Sequence, residues 1–187
     1  MRFEVTARLM DPKLEVVAPV RIWEFKTRDQ EIDYAKKHNI PIDVTKKSPY
    51  SVDINVFGRS IEAGILEDPW QEPPEEIYKL TVSPEKAPAK PTYIELEFAN
   101  GLPTKINGKS YKALDLISEL NIIAGNNGVG RVDMVENRLV GIKSREIYEN
   151  PAGTVLHMAL RELESLVLDR ETAHYKNAIS QKYAELT

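Results

Sequence analysis

Charged and hydroxyl side chains crowd the stretch from Gly128 to Pro151, where they alternate with apolar residues. The apolar positions are Val132, Met134, Val135, Leu139, Val140, Ile142 and Ile147. The functional groups belong to Arg131, Asp133, Glu136, Asn137, Arg138, Lys143, Ser144, Arg145, Glu146, Tyr148 and Glu149. Charges beside buried positions are costly unless they are paired or bind a ligand. The stretch therefore predicts either a half-buried strand with ion pairs on its wet side or a ligand site.

The cations of this stretch raise the question of phosphate binding. We favour ion pairs over phosphate contacts for Arg131, Arg138, Lys143 and Arg145. The carboxylates expected to pair with them are Asp133, Glu146 and Glu149. The glycines between 125 and 130 match neither a Walker loop nor a dinucleotide-binding fingerprint, because their order is wrong and no strand precedes them. We expect these glycines to end a helix and turn the chain into the next strand.

Composition excludes several classes of protein. A formal net charge of −4 with no block of basic residues argues against nucleic-acid binding. The chain has no cysteine, so it has neither disulfides nor a cysteine-based zinc site. The histidines lack metal-binding spacing, and we predict no metal site. No apolar run approaches the ~18 residues of a membrane span, and the N-terminus lacks a signal-peptide core, so we expect a cytoplasmic protein without a membrane partner.

The elements that must position these groups begin with an ambiguous segment. Residues 1–10 fit a helix or a strand equally well, whereas 14–18 predict a short buried strand stopped by Pro19. Residues 27–39 predict a helix with a capping box from Thr27 to Gln30 and a left-handed cap at Asn39. Ile32 and Ala35 would lie on its buried face.

The middle of the chain predicts strands separated by turns. Ile42 with Val44 suggests a short strand, Ser48-Pro49 a turn, and residues 52–56 an alternating strand. The proline-rich stretch 67–92 predicts a loop with a strand near residues 77–82. Residues 93–106 predict a hairpin turning at Asn100-Gly101, followed by a second turn at 107–108.

Helices dominate the remainder. Residues 109–124 predict a helix whose stripe is Tyr111, Leu114, Ile117, Leu120 and Ala124. Residues 154–168 predict another, with a stripe of Leu156, Ala159, Leu160, Leu163 and Val167. A last helix follows Asp169, and its apolar stripe is Tyr175, Ile179, Tyr183 and Leu186. We expect this last stripe to pack on another copy of the chain or on sequence outside it.

A family resemblance narrows these readings. The run Gly-Val-Gly-Arg-x-Asp-x-Val-Glu-Asn-Arg-x-x-Gly-x-Lys-Ser-Arg-x-x-Tyr-Glu-x-Pro, residues 128–151, resembles argininosuccinate synthases. Pro-Tyr-Ser-x-Asp-x-Asn at 49–55 and Ser-x-Glu-Ala-Gly at 60–64 resemble the same family in the same order. The likeness extends from Ala18-Pro19-x-Arg21 through the C-terminal helices, and implies the middle and later part of such an enzyme.

The resemblance implies an ATP-dependent ligase that joins citrulline to aspartate. In that family the citrulline ureido oxygen attacks the α-phosphate, and the aspartate amine then displaces AMP. The implied citrulline contacts are Ser51, Ser60, Glu136 and Tyr148, which bind and orient rather than act as catalytic groups. ATP, with magnesium, and most of the aspartate site would belong to an N-terminal part, and the family is typically homotetrameric.

One departure from the family pattern matters. The Ser-Gly-Gly-x-Asp-Thr-Ser loop that binds pyrophosphate is absent, and the sequence contains no Gly-Gly pair. We therefore interpret the chain as a fragment that is inactive by itself and that contributes citrulline binding and oligomerisation. The alternative is a stand-alone, non-enzymatic module for oligomerisation or small-molecule binding.

For architecture we predict an α+β fold. It should contain a mixed, largely antiparallel sheet with packed helices, and C-terminal helices for oligomerisation. Residues 1–20 should be a remnant of the nucleotide-binding domain edge. Residues 21–187 should form the citrulline-binding and multimerisation domain.

Overall fold

A computed structural model describes residues 2–42, 50–138 and 141–186, with the backbone alone for residues 2, 3, 28 and 186. The chain divides into two compact units, Met1–Pro49 and Tyr50–Thr187. We describe each unit by itself. The predicted domain boundary after residue 20 stays a prediction.

The first unit is helical. Helix α1 spans Arg2–Met10, which decides between the two readings of that segment, and α2 spans Arg28–Lys37. The predicted capping box is confirmed, because Thr27 accepts from the Gln30 amide and the Gln30 side chain accepts from the Thr27 amide. Ile32 and Ala35 are buried as expected.

Two other expectations for this unit have different outcomes. The prediction of a buried strand at 14–18 is wrong, because Leu14 and Val17 are exposed. The segment follows a turn in which the Leu14 amide donates to the Asp11 carbonyl. A single turn of 3₁₀ helix, Pro19–Arg21, comes next. Asn39 adopts the predicted left-handed conformation, with φ of 53°. The strand expected at Val44 and the turn at 48–49 lie outside the described residues.

The second unit is built around a four-stranded antiparallel sheet in the order β1-β2-β7-β6. The strands are β1 (Ser51–Ile54), β2 (Arg59–Glu62), β6 (Arg131–Asn137) and β7 (Lys143–Glu149). Two hairpins, β1–β2 and β6–β7, meet where β2 pairs with β7. The sheet therefore brings together the two segments that resemble the synthase family.

A second, three-stranded sheet supports a separate core. Its strands are β3 (Leu96–Ala99), β4 (Leu102–Ile106) and β5 (Lys109–Ser110). The predicted hairpin is confirmed, with Asn100 and Gly101 both at positive φ as a two-residue turn requires. Its first strand is shorter than expected. Every strand pairing in the described residues is antiparallel, and together with the helices this confirms an α+β fold.

Three helices complete this unit. They are α3 (Ala113–Asn126), α4 (Pro151–Val167) and α5 (Arg170–Leu186). Helix α3 begins later than predicted because Lys109 and Ser110 pair with β4. Leu120 and Ala124 are buried as expected, but Leu114 is exposed and Leu116 takes its place in the core. The remaining residues of the second core are Ile106 and Ala152.

The apolar stripe of α4 is buried only at its beginning. Leu156 packs against the second core, whereas Leu163 and Val167 are exposed. Asn150 begins the helix by accepting a hydrogen bond from the Gly153 amide.

The prediction of a strand near residues 77–82 is wrong. This segment leaves a 3₁₀ turn at Glu75–Ile77 and runs beneath the four-stranded sheet. The consecutive amides of Lys79, Leu80 and Thr81 all donate to one carboxylate, that of Glu149. Three successive amides aimed at one side chain cannot alternate as a strand ladder requires.

Candidate functional site

The strand register places the four predicted contacts on one face of the four-stranded sheet. Ser60 lies directly opposite Tyr148, and Glu136 lies opposite Ser144, four residues from Tyr148 on β7. Ser51 lies opposite Glu62, two residues from Ser60 on β2. Opposed residues share a face, and so do residues two apart on one strand. We call this the polar face; it carries Ser51, Asp53, Ser60, Glu62, Val132, Met134, Glu136, Ser144, Glu146 and Tyr148.

The Tyr148 hydroxyl lies between two carboxylates. It donates to Glu146 Oε2 at 2.7 Å and also makes a short hydrogen bond with Glu136 Oε1. Burial raises the pKa of the Tyr148 phenol well above its usual range, and the two carboxylates raise it further. The phenol therefore keeps its proton at neutral pH. Since it has only one proton, it can fully satisfy only one of the two carboxylates at a time.

Arg138 is the cation of this cluster. Its Nη2 donates to Glu146 Oε1 at 2.6 Å, and its Nε donates to Ser144 Oγ at 3.0 Å. Its contacts with the other two carboxylates are longer, 3.4 Å to Glu62 Oε2 and 3.5 Å to Glu136 Oε2. The guanidinium is therefore held chiefly by Glu146.

Glu62 and Glu146 form an acid pair across β2 and β7. Their carboxyl groups lie close enough to shift each other's pKa in opposite directions. Burial raises the pKa of Glu62, and the neighbouring Glu146 carboxylate raises it further. Burial alone would also raise the pKa of Glu146, but hydrogen bonds from Tyr148 and Arg138 outweigh burial and leave that pKa lowered. A proton bound by this pair therefore resides on Glu62 rather than on Glu146.

The charges of the polar face do not balance. Among the described residues, four carboxylates, those of Asp53, Glu62, Glu136 and Glu146, face one guanidinium. Even if Glu62 binds a proton, carboxylate charge remains in excess on this described part of the face. Such a surface favours a ligand that brings a positive charge or several N–H donors.

The two serines add neutral polar groups to this face. Ser51 and Ser60 are half-buried on adjacent strands, and neither hydroxyl makes a hydrogen bond within the described part of the chain. Hydroxyl groups can both donate and accept, so they suit a zwitterionic or amide-like ligand.

The opposite face of the same sheet is structural. Ile61 and Ile147 bury themselves there with Leu66 and Ile77. Glu149 is 0% exposed, and its carboxylate accepts from three backbone amides, from the Thr81 hydroxyl and from Arg59. We call this the core face.

The predicted ion pairs are confirmed in part. Arg145 pairs with Asp133 at 2.7 Å, and Arg138 pairs with Glu146. Arg131 pairs instead with Glu75 of the loop at 2.8 Å, while its guanidinium lies 3.7 Å from the Tyr78 ring centre. The partner of Glu149 is Arg59 rather than a cation of its own hairpin. Lys143 donates to the Asn137 side chain.

Arg145 also organises the neighbouring loop. Its Nη1 donates to the carbonyls of Asp68 and Gln71 at 3.0 and 2.8 Å. Arg131 likewise reaches the Thr81 hydroxyl and carbonyl. The distant partners of Arg131, Arg145 and Glu149 lie on an irregular loop, so the alternation of residues within a strand cannot predict them.

The glycine turn before β6 is structural, as expected. Helix α3 ends at Asn126 and β6 begins at Arg131. A Cβ on Gly130 would lie 2.5 Å from the backbone nitrogen of Pro151, so the chain packs closely there. Among the described residues, no group of histidine, aspartate and glutamate side chains is placed to hold a metal ion, and no helix could span a membrane.

Sequence reasoning missed two members of the polar face. Asp53 and Glu62 were not predicted as site residues, and Glu146 was expected only in an ion pair. Each lies two positions from a predicted contact, Asp53 from Ser51, Glu62 from Ser60 and Glu146 from Tyr148. The period of two along a strand is therefore the signal that could have found them.

Comparison with known proteins gives consistent similarities. Residues 50–187 match the family model "Arginosuccinate synthase C-terminal domain", and residues 1–41 match "Arginosuccinate synthase N-terminal HUP domain". Over 186 residues the chain is 56% identical to the argininosuccinate synthase of Thermoanaerobacter sp. and 55% identical to that of Chlorobium luteolum. Each alignment covers 100% of this chain, but only 45% and 46% of those relatives. The chain thus spans less than half the length of the curated relatives it matches.

Proposed function

Because the chain belongs to the argininosuccinate synthase family, we propose that it forms the citrulline-binding and assembly part of an ATP-dependent ligase that joins citrulline to aspartate. Its polar face binds citrulline through Ser51, Ser60, Glu136 and Tyr148. The observation that carries this proposal is the convergence of these four residues, from four separate strands, on one face with excess carboxylate charge.

The excess charge also orients the ligand. Citrulline has one cationic group, its α-ammonium, and a neutral ureido tail. A face with four carboxylates and one guanidinium binds the ammonium end more strongly than the neutral end. Glu136 is the contact for that ammonium because it is partly exposed and its contact with Arg138 is long, 3.5 Å. The serine hydroxyls then complete the polar shell.

The other substrates bind outside the polar face. ATP, with magnesium, and aspartate bind chiefly to the N-terminal part of the enzyme, of which residues 1–41 match only the HUP-domain model. This chain contributes by holding citrulline in one orientation, so that the ureido group presents its oxygen correctly.

Helix α5 supports self-association, as in a homotetramer. Tyr175, Ile179 and Tyr183 follow one another at helical spacing and are 69%, 44% and 68% exposed. Aligned apolar side chains of this size are typical of an interface. Ile179→Lys should shift sedimentation toward the monomer relative to Lys182→Glu, a charge change on the same helix. Wild-type chain that stays monomeric at high micromolar concentration would contradict the proposal.

A ligand comparison tests the citrulline site directly. L-citrulline and 5-ureidopentanoate, which lacks the α-ammonium, are titrated calorimetrically into the 187-residue chain. A charge-assisted hydrogen bond contributes about 1.5–3 kcal/mol, so 5-ureidopentanoate should bind roughly ten- to a hundredfold more weakly. Equal binding of the two compounds, or no binding of L-citrulline, would overturn the proposal.

A further inference from the structure

Glu146 contacts both donors of the carboxylate cluster, Arg138 and Tyr148. Its carboxylate accepts from Arg138 Nη2 at 2.6 Å and from the Tyr148 hydroxyl at 2.7 Å. Its side chain is 8% exposed, against 26% for Glu136 and 39% for Glu62. A group this enclosed has little surface left for a ligand, so its influence must act through its neighbours.

Resting on the citrulline function proposed above, we infer that Glu146 is a positioning residue that keeps the Glu136 carboxylate available to the substrate. It does so by holding the Arg138 guanidinium and by offering the Tyr148 hydroxyl a second acceptor. Both donors can otherwise reach Glu136. Arg138 Nε lies 3.5 Å from Glu136 Oε2, and the Tyr148 hydroxyl already contacts Glu136 Oε1.

Competition between Glu136 and Glu146 for the same donors explains why loss of Glu146 would weaken substrate binding. When a substrate ammonium approaches Glu136, the Tyr148 hydroxyl can turn its single proton to Glu146 instead. Without the Glu146 charge, the Tyr148 proton stays at Glu136. Arg138 then loses the partner that it contacts at 2.6 Å and moves toward Glu62 and Glu136, whose oxygens lie 3.4 and 3.5 Å away. Glu136 would then be neutralised by the protein itself before any ligand arrives.

The test uses the 187-residue chain and L-citrulline as the probe. Glu146→Gln should weaken L-citrulline binding roughly tenfold, the value of one charge-assisted contact, although all four contact residues are intact. Glu97→Gln is the matched control, because Glu97 also pairs with a cation on a neighbouring strand, Lys105 at 2.7 Å, but in the other sheet. This control should bind like the wild type.

A second substitution separates positioning from simple damage. Arg138→Gln added to Glu146→Gln removes the cation that competes for Glu136, and should restore binding to within about threefold of the wild type. A crystal structure of the Glu146→Gln chain should show Arg138 within hydrogen-bond distance of Glu136. Melting temperatures of all variants verify that each one is folded.

Each result decides something. Glu146→Gln that binds like the Glu97→Gln control, a double variant that is no better than the single one, or Arg138 remaining away from Glu136 would each overturn the positioning role. Failure of the wild-type chain to bind L-citrulline would count against the proposed function instead, while the position of Arg138 in the variant structure would still decide its control by Glu146.

Discussion

Glu146 and Glu149 lie three residues apart on strand β7 and point to opposite faces of the same sheet. Glu149, on the core face, is 0% exposed and is surrounded by three backbone amides, a hydroxyl and a guanidinium. Glu146, on the polar face, has two donors, and both of them also contact other carboxylates. Glu149 has its donors to itself, whereas Glu146 shares both of its donors with other carboxylates.

This difference separates a structural carboxylate from one that belongs to a binding face. A buried charge whose hydrogen bonds are all made within the protein has no capacity left for a ligand, and its removal affects the fold. Carboxylates that share too few donors retain attraction for a cation. The number of donors around each carboxylate therefore distinguishes the two roles better than burial does, since Glu146 is itself nearly buried.

The largest effect should come from Glu149→Gln. This change leaves Arg59 without its buried partner and turns amide hydrogens toward three backbone donors, so it should cost about 3–5 kcal/mol of unfolding free energy. Urea denaturation of the 187-residue chain measures it. Glu136→Gln is the comparison on the polar face, and we expect it to change stability by less than about 1 kcal/mol. Similar losses for both variants would remove the distinction between the faces.

Glu136→Gln should instead affect substrate binding. The kinetic test needs a complete synthase, in which residues 1–187 replace the matching segment of the Thermoanaerobacter relative. Loss of a charge-assisted bond of about 1.5–3 kcal/mol should raise the KM for citrulline roughly ten- to a hundredfold. The KM values for ATP and aspartate should change far less. A folded variant with unchanged citrulline saturation would contradict the assignment.

Smaller effects should follow from the neutral groups of the polar face. Ser51→Ala, Ser60→Ala and Tyr148→Phe each remove a neutral hydroxyl, worth about 0.5–1.5 kcal/mol, so each should raise the citrulline KM about two- to tenfold. Ser118→Ala, whose hydroxyl bonds only its own helix, is the control. If the two serine variants had the same citrulline KM as the Ser118→Ala control, Ser51 and Ser60 would have a role in the strands but none in binding citrulline.

The smallest effect is a pH dependence of stability at Glu62. Its pKa is raised in the folded protein from an ordinary value of 4.5, so the folded state binds this proton more tightly than the unfolded state. The associated stability is present below that value and is lost as pH rises through the folded pKa. Glu62→Gln should therefore gain stability relative to the wild type as pH rises above 4.5. Parallel pH profiles of unfolding for the two proteins would show that folding does not raise the pKa of Glu62.

The sequence allowed prediction wherever a local pattern determines the structure. Thr27 and Gln30 cap their helix through side chains three residues apart, and Asn100-Gly101 closes a turn that needs positive φ. The family resemblance selected Ser51, Ser60, Glu136 and Tyr148, which the sheet then places on one face. Their role in binding citrulline stays a prediction.

Prediction failed where partners are distant in sequence. The segment from Ile77 to Val82 has strand-like residues, but its amides are taken by a carboxylate about 70 positions away. Arg131 and Glu149 likewise pair with the loop and with β2 rather than within their own hairpin. No periodicity within a strand contains that information, because it depends on how two hairpins and a loop assemble.

The same long separation between Glu149 and its amide partners has a consequence for the order of folding. The amides of residues 79–81 are synthesised 68–70 residues before the carboxylate that satisfies them. Strands β1 and β2 likewise cannot pair with the rest of the sheet until β7 has been synthesised, since Ser60 of β2 pairs with Tyr148 of β7. Contacts between such distant residues form slowly, because a long loop must close before they contribute. During translation, therefore, the β1–β2 hairpin and the proline-rich loop cannot join the rest of the sheet until strand β7 emerges, and the polar face forms late in folding.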